Sequence, residues 1–391
     1  MAIKVALKEL CTIEITDGTH KTPEYSDQGY IFLSSKNVTS EKIDWKNVMY
    51  IPESLHQELY QRLAPQKDDI LLAKNGTTGV AAIVDRDEVF DIYVSLALIR
   101  PNQKKVIPRY LLYAINSDST KRYFRSHLKG VGVPNLHLIH IRETPINVPN
   151  IQAQLQIVKK LDKVSDLIAK RRQQLDKLDT LVKARFVEMF GDCLTNPKDW
   201  RTKCLEDIAE VGSSKRVFVD ELQEEGIPFY RGTEVGALAE GKQITPELFI
   251  TEQHYAELCK ATGAPQSGDL LMPSICPDGR IWVVNTNEPF YFKDGRVLWV
   301  HSIDSSYNSI FLLYTLKDRI MTDYSSIASG TTFAELKIFA LKKCRIFDVP
   351  LEQQNQFAAF IEQIDKSKLA VIQSLEKLET LKKTLMQQYF G

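Results

Sequence analysis

The chain has 391 residues, 43% of them hydrophobic, and its 50 basic and 50 acidic side chains give a formal net charge of zero. This length and apolar content suffice to bury two sizeable cores, whereas no apolar run approaches the ~20 residues that a membrane span requires. The balanced charge is atypical of a protein that coats nucleic acid through charge alone, and the start of the chain lacks the apolar stretch of a secretory signal, so we expect a cytoplasmic protein.

The first 148 residues are predicted to form an α+β domain. Short β-rich runs, such as residues 80–84 and 92–99, lie between turn signals, and helical patterns cover residues 53–62 and 109–117. Short strands interrupted by short helices favour a curled, mainly antiparallel sheet. Pro149 in the following linker marks the end of this domain.

A heptad pattern follows, and it predicts one long helix within residues 149–191. Alternating steps of four and three residues from Ile157 to Met189 meet ten positions, of which eight are apolar. A seven-residue apolar repeat over more than four heptads is typical of a coiled coil. Because neither Gly nor Pro interrupts the pattern before Gly191, the helix is expected to run about 35 residues, or roughly 50 Å.

Residues 192–348 and 349–391 repeat this plan, and they predict a second α+β domain and a second heptad helix. The Ala-Pro-Gln of 64–66 recurs at 264–266, and residues near the end of the first helix recur 200 positions later, among them Leu175, Lys177, Leu178, Thr180, Leu181, Phe190 and Gly191. A period of about 200 residues indicates that a domain and its helix were duplicated together. Two apolar stripes of equal length and phase are most simply buried against each other, in an antiparallel coiled coil.

No catalytic motif is found in either copy. The sequence lacks a phosphate-binding GxxxxGK[ST] loop, a dinucleotide-binding GxGxxG and a GxSxG nucleophile turn. Asn196-Pro-Lys198 departs from the Asn-Pro-Pro loop of amino-methyltransferases at Lys198, and neither His137 nor His140 has a Cys or carboxylate beside it. The six cysteines are scattered without metal-ligand spacing. We therefore expect no active site, metal or cofactor in this chain.

Polar loops occur at matching places in the two copies, with different residues in each. Lys, Arg, Asn, Thr and Ser on glycine-containing loops are the side chains that read base edges and hold phosphates. A shared framework with varied loops suggests two related surfaces that read two different targets. The candidate DNA contacts are Thr19, His20, Lys21, Lys36, Asn37, Lys74, Asn75, Thr77 and Thr78 in the first copy, and Lys215, Arg216, Arg231, Thr233, Ser274 and Arg280 in the second.

The chain resembles the specificity subunit of type I restriction-modification systems over essentially its whole length. The resemblance depends on the order domain, long helix, domain, long helix, and on four loose motifs. These are residues 17–23 (Asp-Gly-Thr-His-Lys-Thr-Pro), 30–38 (Tyr-Ile-Phe-Leu-Ser-Ser-Lys-Asn-Val), 69–76 (Asp-Ile-Leu-Leu-Ala-Lys-Asn-Gly) and 132–136 (Gly-Val-Pro-Asn-Leu).

The resemblance implies a DNA-binding, non-catalytic subunit. Each globular part would be a target recognition domain for one half of an asymmetric bipartite DNA site, and the antiparallel coiled coil would set the unread spacer. Two modification (methyltransferase) subunits would dock on the helices and use S-adenosylmethionine, and restriction (motor-nuclease) subunits with ATP and Mg would join through them. The charge of the second domain differs from what is expected of a protein that binds DNA on its own, because residues 191–349 carry 17 basic and 23 acidic side chains.

Two other classes of function remain open from the sequence. A duplicated coiled-coil scaffold that organises protein partners without DNA would show apolar patches where the polar loops lie. A degenerate methyltransferase or nuclease would bind a cofactor as the purified chain. The recognised bases and the spacer length are not deducible, because direct readout depends on which loop residue faces which base edge.

Overall fold

The computed structural model describes residues 3–39, 41–128, 134–330 and 334–391. Gly132 and Val133, which belong to one motif of the resemblance, lie outside this part of the chain. Two compact units are present, residues 1–173 with 372–391 and residues 174–371. Among the described residues, no helix has the length and apolar character that crossing a membrane would require.

The first globular domain alternates short strands with short helices, as its sequence predicts, and a long helix follows it. The elements in chain order are β1 (Ile3–Ala6), β2 (Thr16–Asp17), β3 (Tyr30–Leu33), β4 (Met49–Ile51), α1 (Glu53–Arg62), β5 (Ile70–Ala73), β6 (Ala81–Ile83), β7 (Phe90–Ile92), β8 (Leu96–Ile99), α2 (Pro108–Asn116), α3 (Asp118–Ser126), α4 (Leu138–Arg142), β9 (Pro145–Val148) and α5 (Ile151–Phe190). Single 3-10 turns cover Leu7–Leu10 and Ser35–Asn37.

Two small sheets form the centre of this domain. The strands β2-β8-β5-β6 make an antiparallel sheet, and β4-β3-β7 make a second one in which β3 and β7 are parallel. All four residues of β5 are fully buried, with Ile70 and Leu72 in one apolar cluster and Leu71 and Ala73 in another. Because successive side chains of a strand point to opposite faces, a strand covered on both faces has an uninterrupted apolar sequence.

The second domain repeats this architecture, and its antiparallel sheet has the equivalent order β11-β17-β14-β15. Its second sheet, β13-β12-β16, again contains one parallel pair, β12 with β16. The elements are β10 (Thr202–Cys204), β11 (Glu210–Gly212), β12 (Ile227–Tyr230), α6 (Gly232–Ala239), β13 (Phe249–Ile250), α7 (Glu252–Thr262), β14 (Leu270–Pro273), β15 (Trp282–Val283), β16 (Tyr291–Phe292), β17 (Val297–His301), α8 (Ser309–Ile327), β18 (Ala328–Ser329), β19 (Glu335–Leu336), α9 (Ile338–Lys342), β20 (Arg345–Phe347) and α10 (Leu351–Phe390).

The apolar run at residues 92–99 is divided, although the sequence predicts one strand there. β7 ends at Ile92 and β8 begins at Leu96, and the Leu96 N–H donates to the Tyr93 carbonyl at 2.9 Å. The turn moves the chain from the mixed sheet to the antiparallel one. Residues on both sides of the turn are buried, so hydrophobicity alone does not reveal the break.

The long helices α5 and α10 each have 40 residues, five more than the predicted 35 or so. The difference arises because each helix begins six residues before its first apolar seam position, Ile157 or Phe357. None of the twenty predicted seam positions is exposed. The domain boundaries drawn at residues 148, 191 and 348 remain predictions.

The two helices pair in opposite directions, which confirms the predicted antiparallel coiled coil. In the first unit the early part of α5 meets the late part of α10, where Lys160 donates to the Tyr389 hydroxyl at 3.3 Å. In the second unit the late part of α5 meets the early part of α10, and Asp179 pairs with Lys368 at 2.6 Å.

A buried glutamine attaches each long helix to its domain. The Gln154 amide accepts from the Ile107 N–H at 2.8 Å and donates to the carbonyls of Lys105 and Pro149, at 3.2 and 2.8 Å. Gln354 makes the three equivalent bonds, with Asn308, Ser306 and Val349. Both side chains are fully buried, and their partners are backbone groups. These glutamine bonds therefore depend on the geometry of the domain backbone and not on its side chains.

Candidate nucleic-acid interface

Two of the three predicted loops of the first domain are brought together at the end of β5. The Ser35 hydroxyl lies 3.3 Å from the Asn75 amide oxygen, and the Thr77 hydroxyl donates to the Val38 carbonyl at 3.1 Å. Lys36 lies between these attachments and is exposed. Thr78 is held separately by a bond to the Pro134 carbonyl at 3.4 Å. The loops at 34–38 and 74–79 therefore form one polar surface.

Lys74 connects the third predicted loop, residues 17–21, to this surface through a buried contact. Its ammonium forms an ion pair with Asp17, and both side chains are 8% exposed. Asp17 also accepts from His20 at 3.3 Å, and that imidazole is largely exposed. Breaking a buried ion pair leaves an uncompensated charge, so this contact fixes the loop at 17–21 against β5.

The remaining candidates of the first domain divide into inward and outward side chains. Asn37 is buried, and its amide accepts from the Ser34 N–H and donates to the carbonyls of Asp44 and Asn47, at 2.9, 3.3 and 2.9 Å. Thr19 is also buried and forms a parallel bridge with Tyr93. Lys21 is exposed and lies 3.4 Å from Glu58. Asn37 and Thr19 thus shape the loops, whereas Lys21 and Lys36 reach the surface.

Two candidate cations of the second domain lie on the loop after β11. Ser213 and Ser214 attach this loop to the backbone of Val297 and Phe292, each at 2.6 Å. Arg216 pairs with Asp294 at 3.1 Å, and Lys215 is exposed. One cation of this pair is therefore neutralised within the domain.

Arg231 is held at the start of α6 by two carboxylates. Its guanidinium contacts Glu234 at 2.5 Å and Glu247 at 3.0 Å, and Thr233 donates to Glu234 at 2.8 Å. Burial alone would raise the pKa of Glu234, but the bonds from Arg231 and Thr233 lower it to about 2. These contacts raise the pKa of Arg231 further above its usual value. The guanidinium is therefore fixed in position, with its charge compensated.

Ser274 and Arg280 flank the loop after β14. Ser274 is buried, and its carbonyl accepts from the Leu336 N–H at 2.7 Å, as the Lys74 carbonyl accepts from Leu136 at 2.8 Å. Arg280 is partly exposed and pairs with Asp278 at 2.8 Å. The two loops are thus supported alike, while the residues displayed on them differ.

The candidate contacts predicted from the sequence do not include residues of α3, although this helix packs against the loop at 74–79. A Cβ atom added at Gly79 would lie 3.1 Å from the Phe124 ring. The signal in the sequence is the density of cations, since Lys121, Arg122 and Arg125 fall within five residues.

The comparison with protein families gives one result for both halves of the chain. The family described as the type I restriction modification DNA specificity domain matches residues 3–179 and again residues 197–382. The putative type I restriction enzyme MjaX specificity subunit of Methanocaldococcus jannaschii is 23% identical over 380 residues, which cover 92% of this chain and 85% of that protein. The putative specificity subunit S.HindORF215P of Haemophilus influenzae is 23% identical over 325 residues, with coverages of 82% and 80%.

Solved structures agree with this result at the level of the fold. A chain from a structure on complex assembly and conformational transition of the type I R-M system has a TM-score of 0.58 and 20% identity, covering 100% of this chain and 97% of that one. The type I restriction-modification S subunit from M. genitalium has a TM-score of 0.58 and 14% identity, with coverages of 100% and 96%.

Proposed function

Because the chain belongs to the family of type I restriction-modification specificity subunits, we propose that each of its domains reads one half of an asymmetric, bipartite DNA site. The observation that supports this most strongly is the repetition of one sheet order under loops of different sequence. A framework shared by the two domains, with different residues on its loops, is what two readers of different half-sites require.

The coiled coil would set the length of DNA between the two half-sites. A helix of 40 residues is about 60 Å long at ~1.5 Å per residue. One turn of DNA measures roughly 34 to 36 Å. Helices of this length are therefore of the scale needed to separate two readers by one or more turns.

Catalysis would belong to partner subunits. Two modification subunits would dock on the helices and supply S-adenosylmethionine, and restriction subunits would supply ATP and Mg. This chain would contribute recognition only, in the cytoplasm where the chromosome lies. Its formal net charge of zero supports such a division, because partners must then provide much of the attraction to phosphates.

The test is to co-purify this chain with the modification subunit encoded beside it and to methylate a random DNA library. Sequencing of the modified molecules should reveal a split motif with a fixed gap. Replacing residues 192–348 by the corresponding domain of a relative should change one half of the motif and leave the other half and the gap unchanged. Arg231→Ala should likewise affect one half-site.

Two outcomes would contradict this proposal. A motif without a gap would exclude two separate readers. A stable complex that modifies no sequence preferentially, and whose assembly survives neutralisation of the loops, would favour a scaffold that organises protein partners without reading DNA.

A further inference from the structure

Helix α3 is fixed beside the polar surface of the first domain. Phe124 packs on Gly79 at the end of the loop 74–79. Lys121 pairs at 3.3 Å with Glu41, which follows the loop at 34–38. Ser117 caps the helix by accepting the Thr120 N–H at 3.3 Å. The helix thus has a defined position next to both loops.

The outer face of α3 carries two arginines. Arg122 and Arg125 are exposed and lie three residues apart, so they share one side of the helix, while Thr120 and Phe124 are buried on the other. The side chain of neither arginine makes an ion pair or hydrogen bond within the described part of the chain. The residues outside that part contain no Asp or Glu. The two charges are therefore uncompensated.

The other arginines before residue 150 are all engaged. An exposed arginine is ordinarily only solvated, and like charges at this spacing repel each other. Two uncompensated guanidinium groups beside a polar surface are therefore distinctive in a domain that otherwise pairs its arginines. The engaged side chains and their partners are Arg62 with the Asp17 carbonyl, Arg86 with Asp85, Arg100 with Asp69, Arg109 with Asp162 and Arg142 with Glu14.

The duplicated domain has no equivalent pair. Leu136 and Leu336 make the same backbone bond in the two domains, and they fix an offset of 200 positions at this place. With that offset, Thr322 and Ser325 of α8 occupy the positions of Arg122 and Arg125. With the offset of 201 between Ile107 and Asn308, which bond to the equivalent glutamines, the positions hold Asp323 and Ser326. The arginine pair is thus a property of the first domain rather than of the common framework.

We propose that α3 is a phosphate-binding helix, on which Arg122 and Arg125 hold the DNA backbone beside the half-site of the first domain. This inference depends on the function proposed above. The planar guanidinium matches phosphate oxygens in a two-bond geometry, and its charge persists at any physiological pH. Such contacts anchor the duplex without reading its sequence. Anchoring is then unequal, with the first domain supplying backbone contacts that the second lacks.

The test compares Arg122→Ala/Arg125→Ala with the wild type, each as the full chain assembled with its modification subunit. Affinity for a duplex is measured by fluorescence anisotropy over a range of salt concentrations. The slope of log K against log salt should become less steep by about 1.8, since each phosphate contact contributes roughly 0.9. Affinity should fall alike for cognate and unrelated sequences, and the methylated motif should be unchanged.

A matched control removes two positive charges from the same domain. Lys67 precedes β5 and Lys104 follows β8, and both are exposed. They lie at the opposite end of β5 from the loop 74–79, roughly 13 Å away along the strand at ~3.3 Å per residue. Lys67→Ala/Lys104→Ala should keep the wild-type slope. Arg122→Lys/Arg125→Lys, which keeps the two charges, should retain most of the wild-type slope.

Three results would overturn the inference. An unchanged slope in the double alanine variant would show that the arginines do not contact phosphates. An equal change of slope in Lys67→Ala/Lys104→Ala would show that the effect comes from net charge alone. A changed methylation motif would show that Arg122 and Arg125 contact bases rather than phosphates. A wild-type complex that binds no DNA would instead overturn the proposed function itself.

Discussion

At the scale of single residues, Arg231 is a reading group that we propose for the acidic second domain. Its Nε and Nη2 atoms are bound by Glu234 and Glu247, so the guanidinium contributes little attraction to phosphates. The same bonds hold its plane in one orientation. A positioned donor is what the recognition of a base edge requires, whereas a mobile cation suits the backbone.

We expect the Glu234–Arg231 pair to give a pH-dependent contribution to stability. Because the pKa of Glu234 falls from 4.5 to about 2 on folding, its contribution is complete above pH ~4.5 and is lost as the pH falls from there towards 2. Urea unfolding of the wild type and Glu234→Gln should give a free-energy difference that is constant at pH 5 to 7 and narrows below pH 4.5. A difference independent of pH would contradict this assignment.

Which loops are polar can be predicted from the sequence, but which of their side chains face outward cannot. Lys36 and Asn37 are adjacent and equally polar, yet Lys36 is exposed and Asn37 is buried. The difference arises because Asn37 bonds to backbone groups up to ten residues away. Lys74 is directed inward by Asp17, 57 positions earlier. Such partners are fixed by tertiary packing, which a single sequence does not display.

At the scale of elements, helices marked by a local periodic pattern could be predicted from the sequence, whereas the pairing of strands far apart in the chain could not. The heptad seams and the helix at Glu53–Arg62 follow from spacing within the segment itself. The parallel pairs β3–β7 and β12–β16 join strands about 60 residues apart, and no local pattern marks them. The divided run at 92–99 was missed for the same reason, since its turn is defined by the two sheets that it connects.

The duplicated helices provide a matched pair of destabilising variants. Leu161 is fully buried in the first unit, and its counterpart Ile361 is 3% exposed in the second. Leu161→Ala and Ile361→Ala should each cost about 2–5 kcal/mol through lost burial and a cavity. Hydrogen exchange followed by mass spectrometry should show loss of protection centred on residues 1–173 in the first variant and on 174–371 in the second. Equal loss everywhere would mean that the two units unfold together.

At the scale of the whole molecule, charge is balanced in total but not along the chain. Residues 1–150 carry 19 basic and 17 acidic side chains, whereas residues 191–349 carry 17 and 23. In the second domain, Arg216, Arg231 and Arg280 are also compensated by neighbouring carboxylates. We therefore expect the electrostatic attraction of the chain alone to DNA to be weak and confined mainly to the first domain.

We expect the isolated chain to bind a duplex of about 30 base pairs no more tightly than roughly 1 μM at physiological salt, within the range of non-specific complexes. Addition of the modification subunit should increase the affinity for a cognate site by at least ~1000-fold, the usual margin of specific over non-specific binding. Fluorescence anisotropy with and without the partner measures both values. Nanomolar binding by the chain alone would show that its own surfaces suffice.

The glutamine at the start of each long helix has a consequence for how such chains diversify. Gln154 and Gln354 bond only to backbone groups, namely two carbonyls, which any residue can supply, and one N–H, which any residue other than proline can supply. A foreign domain that brings those groups to the same places would make the same glutamine bonds with the helix as the resident domain does. If each domain reads one half-site, as we propose, recombination between genes would exchange one reader and leave the long helices unchanged, so that a new DNA specificity would arise by replacement of a domain rather than by gradual change of its loops.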